Sequence, residues 1–153
     1  MSDIRNFHKI SESLACSGQP TESQLQKIAG EKFSVIINLG LNDPDYSLPN
    51  EKSSVENLNI KYFHIPVLFD NPTIQDLTLF FEKMKESENK KVLVHCAANY
   101  RASVFVALYL FSIQKLEESE IENFITNIWM PDHNWQMFID EAIEFIKSNF
   151  PYF

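Results

Sequence analysis

One cysteine and one arginine stand close together in the stretch Val92-Leu93-Val94-His95-Cys96-Ala97-Ala98-Asn99-Tyr100-Arg101-Ala102-Ser103. A cysteine is a nucleophile as its thiolate. Its free pKa of about 8.5 falls to roughly 3.5–7.5 at a helix N-terminus or beside a cation. An arginine presents a planar fork that matches two oxygens of a phosphate. From Arg101 to Ile113 the chain is apolar almost all round, the pattern of a buried helix. The first amides of a helix lack internal partners and sit at the positive end of its dipole, which makes an anion site. Ala97, Ala98, Asn99, Tyr100, Arg101 and Ala102 are therefore the candidate phosphate-binding positions. Thiolate, amides and cation together suggest attack on a phosphoryl group.

These residues need elements to hold them. Residues 92–95 form a short apolar run that reads as a buried parallel strand. Residues 33–39 and 60–67 read as two further strands, with helices expected over 48–58 and 73–88. Thr73 with Asp76 resembles a capping box for the second of these. Strand and helix alternating over 33–113 requires a mainly parallel sheet flanked by helices, an α/β fold. Ligands of such sheets bind beyond the carboxyl ends of the strands. The loops at 40–45, 69–72 and 96–100 should then open on one edge. That places Asp70 near Cys96 and makes it the best general-acid candidate, ahead of Asp43, Asp45 and Asp132. Asp43 and Asp45 are expected to face water. Residues 13–16 read as a short edge strand, 21–29 as a helix, and 117–129 and 134–150 as two more, with Trp129 and Trp135 as core anchors. Residues before Ile10 read as a poorly fixed terminus. Nothing suggests a second domain, so residues 1–153 are expected to form one.

Composition narrows the partners. The chain has 153 residues, 44% of them apolar, 13 phenylalanines and a formal net charge of −8. That suits a globular core and argues against nucleic acid and anionic membrane, which both need basic surface. The longest apolar run is too short to span a bilayer. Two cysteines, Cys16 and Cys96, make no disulfide framework. With a polar start lacking an apolar h-region, they point to a reducing cytoplasm. No cluster has metal-ligand spacing, so no metal or cofactor is expected. Cys16 reads as structural.

His95-Cys96, four intervening residues, Arg101 and then Ser103 resemble the phosphate-binding loop of cysteine-dependent protein tyrosine phosphatases, in the dual-specificity-like branch. The HCxANxRxS form is similar to that of bacterial members. Ser17-Gly18-Gln19-Pro20-Thr21, Val35-Ile36-Ile37-Asn38-Leu39 and His64-Ile65-Pro66-Val67 extend the resemblance over most of the chain. It implies the dual-specificity-like fold, phosphomonoester hydrolysis through a cysteinyl-phosphate, a phosphorylated protein or small molecule as substrate, and phosphate or sulfate bound in the loop. It also implies that His95 steadies the thiolate from within the loop and that Ser103 donates to the sulfur; from the residues alone Ser103 reads equally as a hydroxyl bonded back within its own helix. The usual loop is one residue longer, with a glycine where Asn99 stands and Ser or Thr directly after Arg. Here Ser103 keeps its place from Cys96 and Arg101 comes one residue early, a turn of about 100° on a helix. Asn tolerates left-handed backbone better than most residues, so it can replace the glycine. The short loop is also similar to that of rhodaneses, which leaves sulfur transfer through a Cys96 persulfide as the alternative. A non-catalytic phosphate-binding module is the other.

Overall fold

The structure, a computed structural model, describes residues 1–150. The run 92–95 becomes strand β5 (Val92–His95), buried at all four positions. Before it come β1 (His8–Ser11), β2 (Leu14–Ser17), α1 (Glu22–Gly30), β3 (Val35–Asn38), α2 (Glu51–Glu56), β4 (Lys61–His64) and α3 (Ile74–Glu86). After it come α4 (Tyr100–Ser112), α5 (Glu118–Thr126) and α6 (His133–Asn149). The strands are ordered β1-β2-β5-β3-β4. β2, β5, β3 and β4 run parallel, and β1 is an antiparallel edge. The carboxyl ends of β3, β4 and β5 therefore share one edge, in the register Asn38↔His64 and Asn38↔His95.

Alternation along the strands sends side chains to two cores. Val92, Val94 and Cys96 join the core under α3, α4 and α6, with Phe80, Phe105, Trp135 and Phe138. Leu93, Ile36 and Ala15 join a smaller core under α1 and α2, with Leu25, Ile28 and Val55. Helix α4 is enclosed over Arg101–Leu108 and has no side-chain cap bond at its N-cap, Asn99. Packing holds it instead: a fully buried Phe105 or Leu108 contributes about 1.5–3 kcal/mol.

Two expectations need correction. The strand expected at the sheet edge, β2, lies inside it, because residues 8–11 pair on its outer side. The segment before Ile10 is accordingly fixed. Ile4 is 1% exposed, Gly18 N–H donates to the Arg5 carbonyl (2.7 Å), and Asn6 reaches the loop after β5. A four-residue strand with alternating half-buried and exposed positions carries too little apolar signal to be read beforehand. Smaller differences are at element ends. The cap of α3 is one-sided: the Asp76 amide donates to Thr73 Oγ1, with no return bond from Asp76. A complete capping box occurs at Thr21 and Gln24, ahead of α1. Among the described residues no helix is long and apolar enough to cross a membrane.

Candidate active site

The turn between β5 and α4 is held from outside by its carbonyls. Gln19 N–H donates to the Ala97 carbonyl (3.0 Å) and Asn6 Nδ2 to the Ala98 carbonyl (2.9 Å). His95 Nδ1 lies 3.2 Å from the Cys96 carbonyl. In a trans peptide the carbonyl and the following N–H point oppositely, and no peptide here is cis. Each tied carbonyl thus turns the next amide, of Ala97, Ala98 and Asn99, to the other side. Among the described residues the amides of Ala97, Ala98, Tyr100, Arg101 and Ala102 find no protein acceptor. Unpaired amides at the start of a buried helix are what an oxyanion requires.

Two residue choices shape this turn. Asn99 adopts left-handed backbone, φ 70° and ψ 10°, the conformation expected where it replaces glycine. Its Nδ2 donates to the Asn6 carbonyl (2.8 Å) and to Cys16 Sγ (3.4 Å), fastening the turn to the N-terminal segment. Gly18 passes so close that a Cβ there would meet the Ala97 carbonyl oxygen at 2.6 Å. Cys16 itself is inert: burial pushes its thiol up to about 12, against the smaller pull of the Asn99 bond. Cys96 directly follows the buried strand β5 and is 1% exposed.

Arg101 is 5% exposed. Its Nη1 donates to the Val67 carbonyl (2.8 Å), beyond β4, and its Nη2 lies 3.4 Å from Tyr46 Oη, beyond β3. Tyr46 Oη also accepts from Leu41 N–H (2.8 Å), and its ring centroid is 6.0 Å from the guanidinium carbon. Arg101 Nε is buried without a partner, and among the described residues no carboxylate lies within ion-pair distance of the side chain. The cation is thus placed where the three strand-end loops meet, with a donor left over.

Of the two readings of Ser103, the structure shows the bond within its own helix. Its hydroxyl donates to the Tyr100 carbonyl (2.7 Å) and accepts from Trp129 Nε1 (3.0 Å). With its one proton committed to its own helix it does not donate to the Cys96 sulfur. Trp129 also stacks on Tyr100, centroids 4.6 Å apart and planes at 3°, so it supports the loop as well as the core. Trp135 is fully buried. Asp70 is exposed on the loop after β4. That loop is pinned on both sides of it: Trp135 Nε1 donates to the Phe69 carbonyl (2.7 Å) and Asn134 Nδ2 to the Asp70 carbonyl (2.9 Å). Asp45 faces water and Asp43 is half-buried, its Oδ1 accepting from Asp45 N–H. Asp132 caps α6.

Sequence reasoning passed over Glu51 and Tyr46. Glu51 is buried against His95, its Oε2 2.5 Å from Nε2. As the first residue of a polar helix it reads as a solvated carboxylate; only a buried histidine at a strand end hinted that a partner was needed. Tyr46 sits in a loop without periodicity and gave no signal. Among the described residues no group of three or more His, Cys, Asp or Glu side chains could hold a metal.

A family model described as PTP-NADK, a dual-specificity-type protein tyrosine phosphatase fused to NAD+ kinase, matches residues 4–139. The chain belongs to this family. A solved structure from Shewanella putrefaciens CN-32, described as a candidate phosphatase (DUF442), superposes with a TM-score of 0.87 at 30% identity, covering 95% of each chain. The beta-lactamase hydrolase-like protein of Xylella fastidiosa is 30% identical over 74% of this chain and 27% of its own length. The dual specificity protein phosphatase OPG106 of Vaccinia virus is 36% identical over 55% of this chain and 47% of its own length. The chain thus spans 27% of the first of these curated relatives and 47% of the second. The dual-specificity-like fold implied by the loop is the fold observed, and sulfur transfer is not favoured.

Proposed function

We propose that this chain hydrolyses phosphomonoesters through a cysteinyl-phosphate intermediate. The observation that carries the reading is the turn after β5, whose carbonyls are tied outward while the amides of Ala97, Ala98, Tyr100, Arg101 and Ala102 stay unpaired. Cys96 stands at its head and a buried, carboxylate-free Arg101 at its foot. The thiolate of Cys96 attacks phosphorus and the ester P–O bond breaks. Asp70 gives its proton to the departing oxygen. Water then attacks the phosphocysteine, Asp70 takes a proton from it, and the P–S bond breaks to return the thiolate and release inorganic phosphate. Loop amides and the Arg101 guanidinium hold the non-bridging oxygens through both steps, and positioning and charge stabilisation supply most of the acceleration in phosphoryl transfer. The substrate is a phosphorylated protein or small molecule, in a reducing cytoplasm.

A second reading is a phosphate-binding module without turnover. It is favoured by Arg101 Nη1, which is spent on the Val67 carbonyl, and by Ser103, which is spent on Tyr100. One experiment separates the two. Wild type and Cys96→Ser are compared for turnover of an aryl phosphate and for thermal stabilisation by inorganic phosphate, with folding checked by circular dichroism. Hydrolysis lost in the variant and phosphate stabilisation retained supports the enzyme. Stabilisation by phosphate with no turnover in wild type supports the module. Equal turnover in both proteins sinks the nucleophile.

A further inference from the structure

The steps above leave one buried carboxylate without a task. Glu51 opens α2, where an acidic side chain ordinarily faces water near the helix N-terminus, yet it is 4% exposed. Its Oε1 accepts from Gln19 Nε2 (2.7 Å) and its Oε2 lies 2.5 Å from His95 Nε2. His95 is fully buried, and its other nitrogen, Nδ1, lies 3.2 Å from the Cys96 carbonyl. Both ring nitrogens therefore face groups that only accept. A neutral imidazole has one N–H and one lone pair. It satisfies one of these neighbours and turns a lone pair on the other. The doubly protonated ring satisfies both.

A buried imidazolium needs a buried counter-charge, and Glu51 supplies it. Burial pushes the Glu51 carboxyl up, but the charge and hydrogen bond of His95, with help from Gln19 and His64, hold it below the usual carboxylate range. The other groups around Glu51 do not compete for this role: the exposed Lys52 lines the same groove but forms no ion pair with Glu51 among the described residues. His64 and Tyr62 of β4 and Asn38 of β3 line the same groove. His64 Nε2 is engaged by the Gly40 carbonyl (2.6 Å), and Tyr62 Oη accepts from Asn38 Nδ2 (3.0 Å). Burial pushes the Tyr62 hydroxyl up to about 12, so it stays neutral.

We propose that Glu51 is a positioning residue for the Cys96 loop: it keeps the His95 ring doubly protonated, and the second N–H of that ring fixes the Cys96 carbonyl and so turns the Ala97 amide into the anion cradle. The role rests on the reading of that loop given under the proposed function. It accounts for a feature the loop alone does not explain, a carboxylate buried on the opposite face of the sheet from the sulfur.

The test is read on the ring itself. With 15N-labelled histidine, NMR at pH 7 should show one of the four imidazoles with both nitrogens protonated, and His95→Asn should remove that signal. Glu51→Gln should leave His95 with one ring proton and weaken binding of inorganic phosphate about tenfold, the scale of one lost charge-assisted hydrogen bond. Glu51→Gln added to His95→Asn should weaken phosphate binding no further. A merely structural Glu51 would lower stability without changing ring protonation. A wild-type His95 with a bare ring nitrogen at pH 7 overturns the proposal. So does a Glu51→Gln protein that keeps both ring protons, or an added loss in the double variant. Should Glu51→Gln fail to fold, the wild-type spectrum decides alone. Absence of ester turnover would count against the phosphatase reading while leaving the ring protonation, and hence this proposal, separately decided.

Discussion

Replacing Arg101 by Met should make the ligand-free protein more stable while removing its response to phosphate. The side chain is 5% exposed, and taking a guanidinium out of water costs several kcal/mol. The bond to the Val67 carbonyl at 2.8 Å returns about 1.5–3 kcal/mol. The 3.4 Å contact with Tyr46 Oη is too long to add much. The Tyr46 ring, 6.0 Å away, adds about 0.5–1 kcal/mol. Nε returns nothing. Met has a similar length and no charge, and its main cost is the Val67 carbonyl left without this donor, about 1 kcal/mol. The balance is a gain of about 1–2 kcal/mol, or roughly 3–6 °C in Tm for a chain of this size. The assay is thermal unfolding followed by circular dichroism, with and without inorganic phosphate. Phosphate at about a hundred times its Kd should stabilise wild type by about 2.7 kcal/mol and the variant not at all. A variant less stable than wild type without phosphate would mean that the cation is satisfied in the free protein. A phosphate response retained in the variant would mean that Arg101 does not reach the anion.

Two further outcomes follow from the same geometry. Asn99→Ala should be less stable than Asn99→Gly by about 1 kcal/mol in urea unfolding, because both lose the bonds to Asn6 and Cys16 but only alanine is strained at φ 70°; equal midpoints would contradict the left-handed turn. Glu51 has a folded pKa below its ordinary value of 4.5, so its stabilisation is fully present above about pH 4.5 and is lost as pH falls through the folded value. A Tm profile from pH 7 to pH 3 should therefore fall more steeply for wild type than for Glu51→Gln; parallel profiles would refute the buried ion pair.

The sheet and the turn after β5 were legible because their signals are local. Val92–His95 is a continuous apolar run, Tyr100–Ser112 is apolar almost all round, and Cys96 and Arg101 stand either side of the turn between them. Parallel order followed from alternation of strand and helix, and with it the shared edge at the carboxyl ends of β3, β4 and β5. What failed was non-local. Residues 1–9 look polar and loose, yet Ile4 is buried and Asn6 binds a carbonyl 92 residues away. Glu51 looks like a solvated helix start, and its histidine is 44 residues further on. Ser103 was open between two readings. The loop pattern assigns its proton to the sulfur, but a serine in the first turn of a helix can return its hydroxyl to the preceding carbonyl, and here a tryptophan from beyond α5 fixes it there.

The fastening of the turn to Asn6 has a kinetic consequence. Its two bonds close intervals of 92 and 93 residues, and the Gln19 amide closes another long one on Ala97. Such contacts come late, after the entropy of closing long loops has been offset by the central strands. The anion cradle should therefore be the last part of the molecule to form. It should also be the first to open, because its outer clamp hangs on an edge strand of four residues. Amide exchange should show the protection of residues 4–11 and of the turn at 97–99 disappearing together, while β5 and α4 stay closed. Such a molecule would pass for folded by its helices and its core and yet be unable to hold an oxyanion.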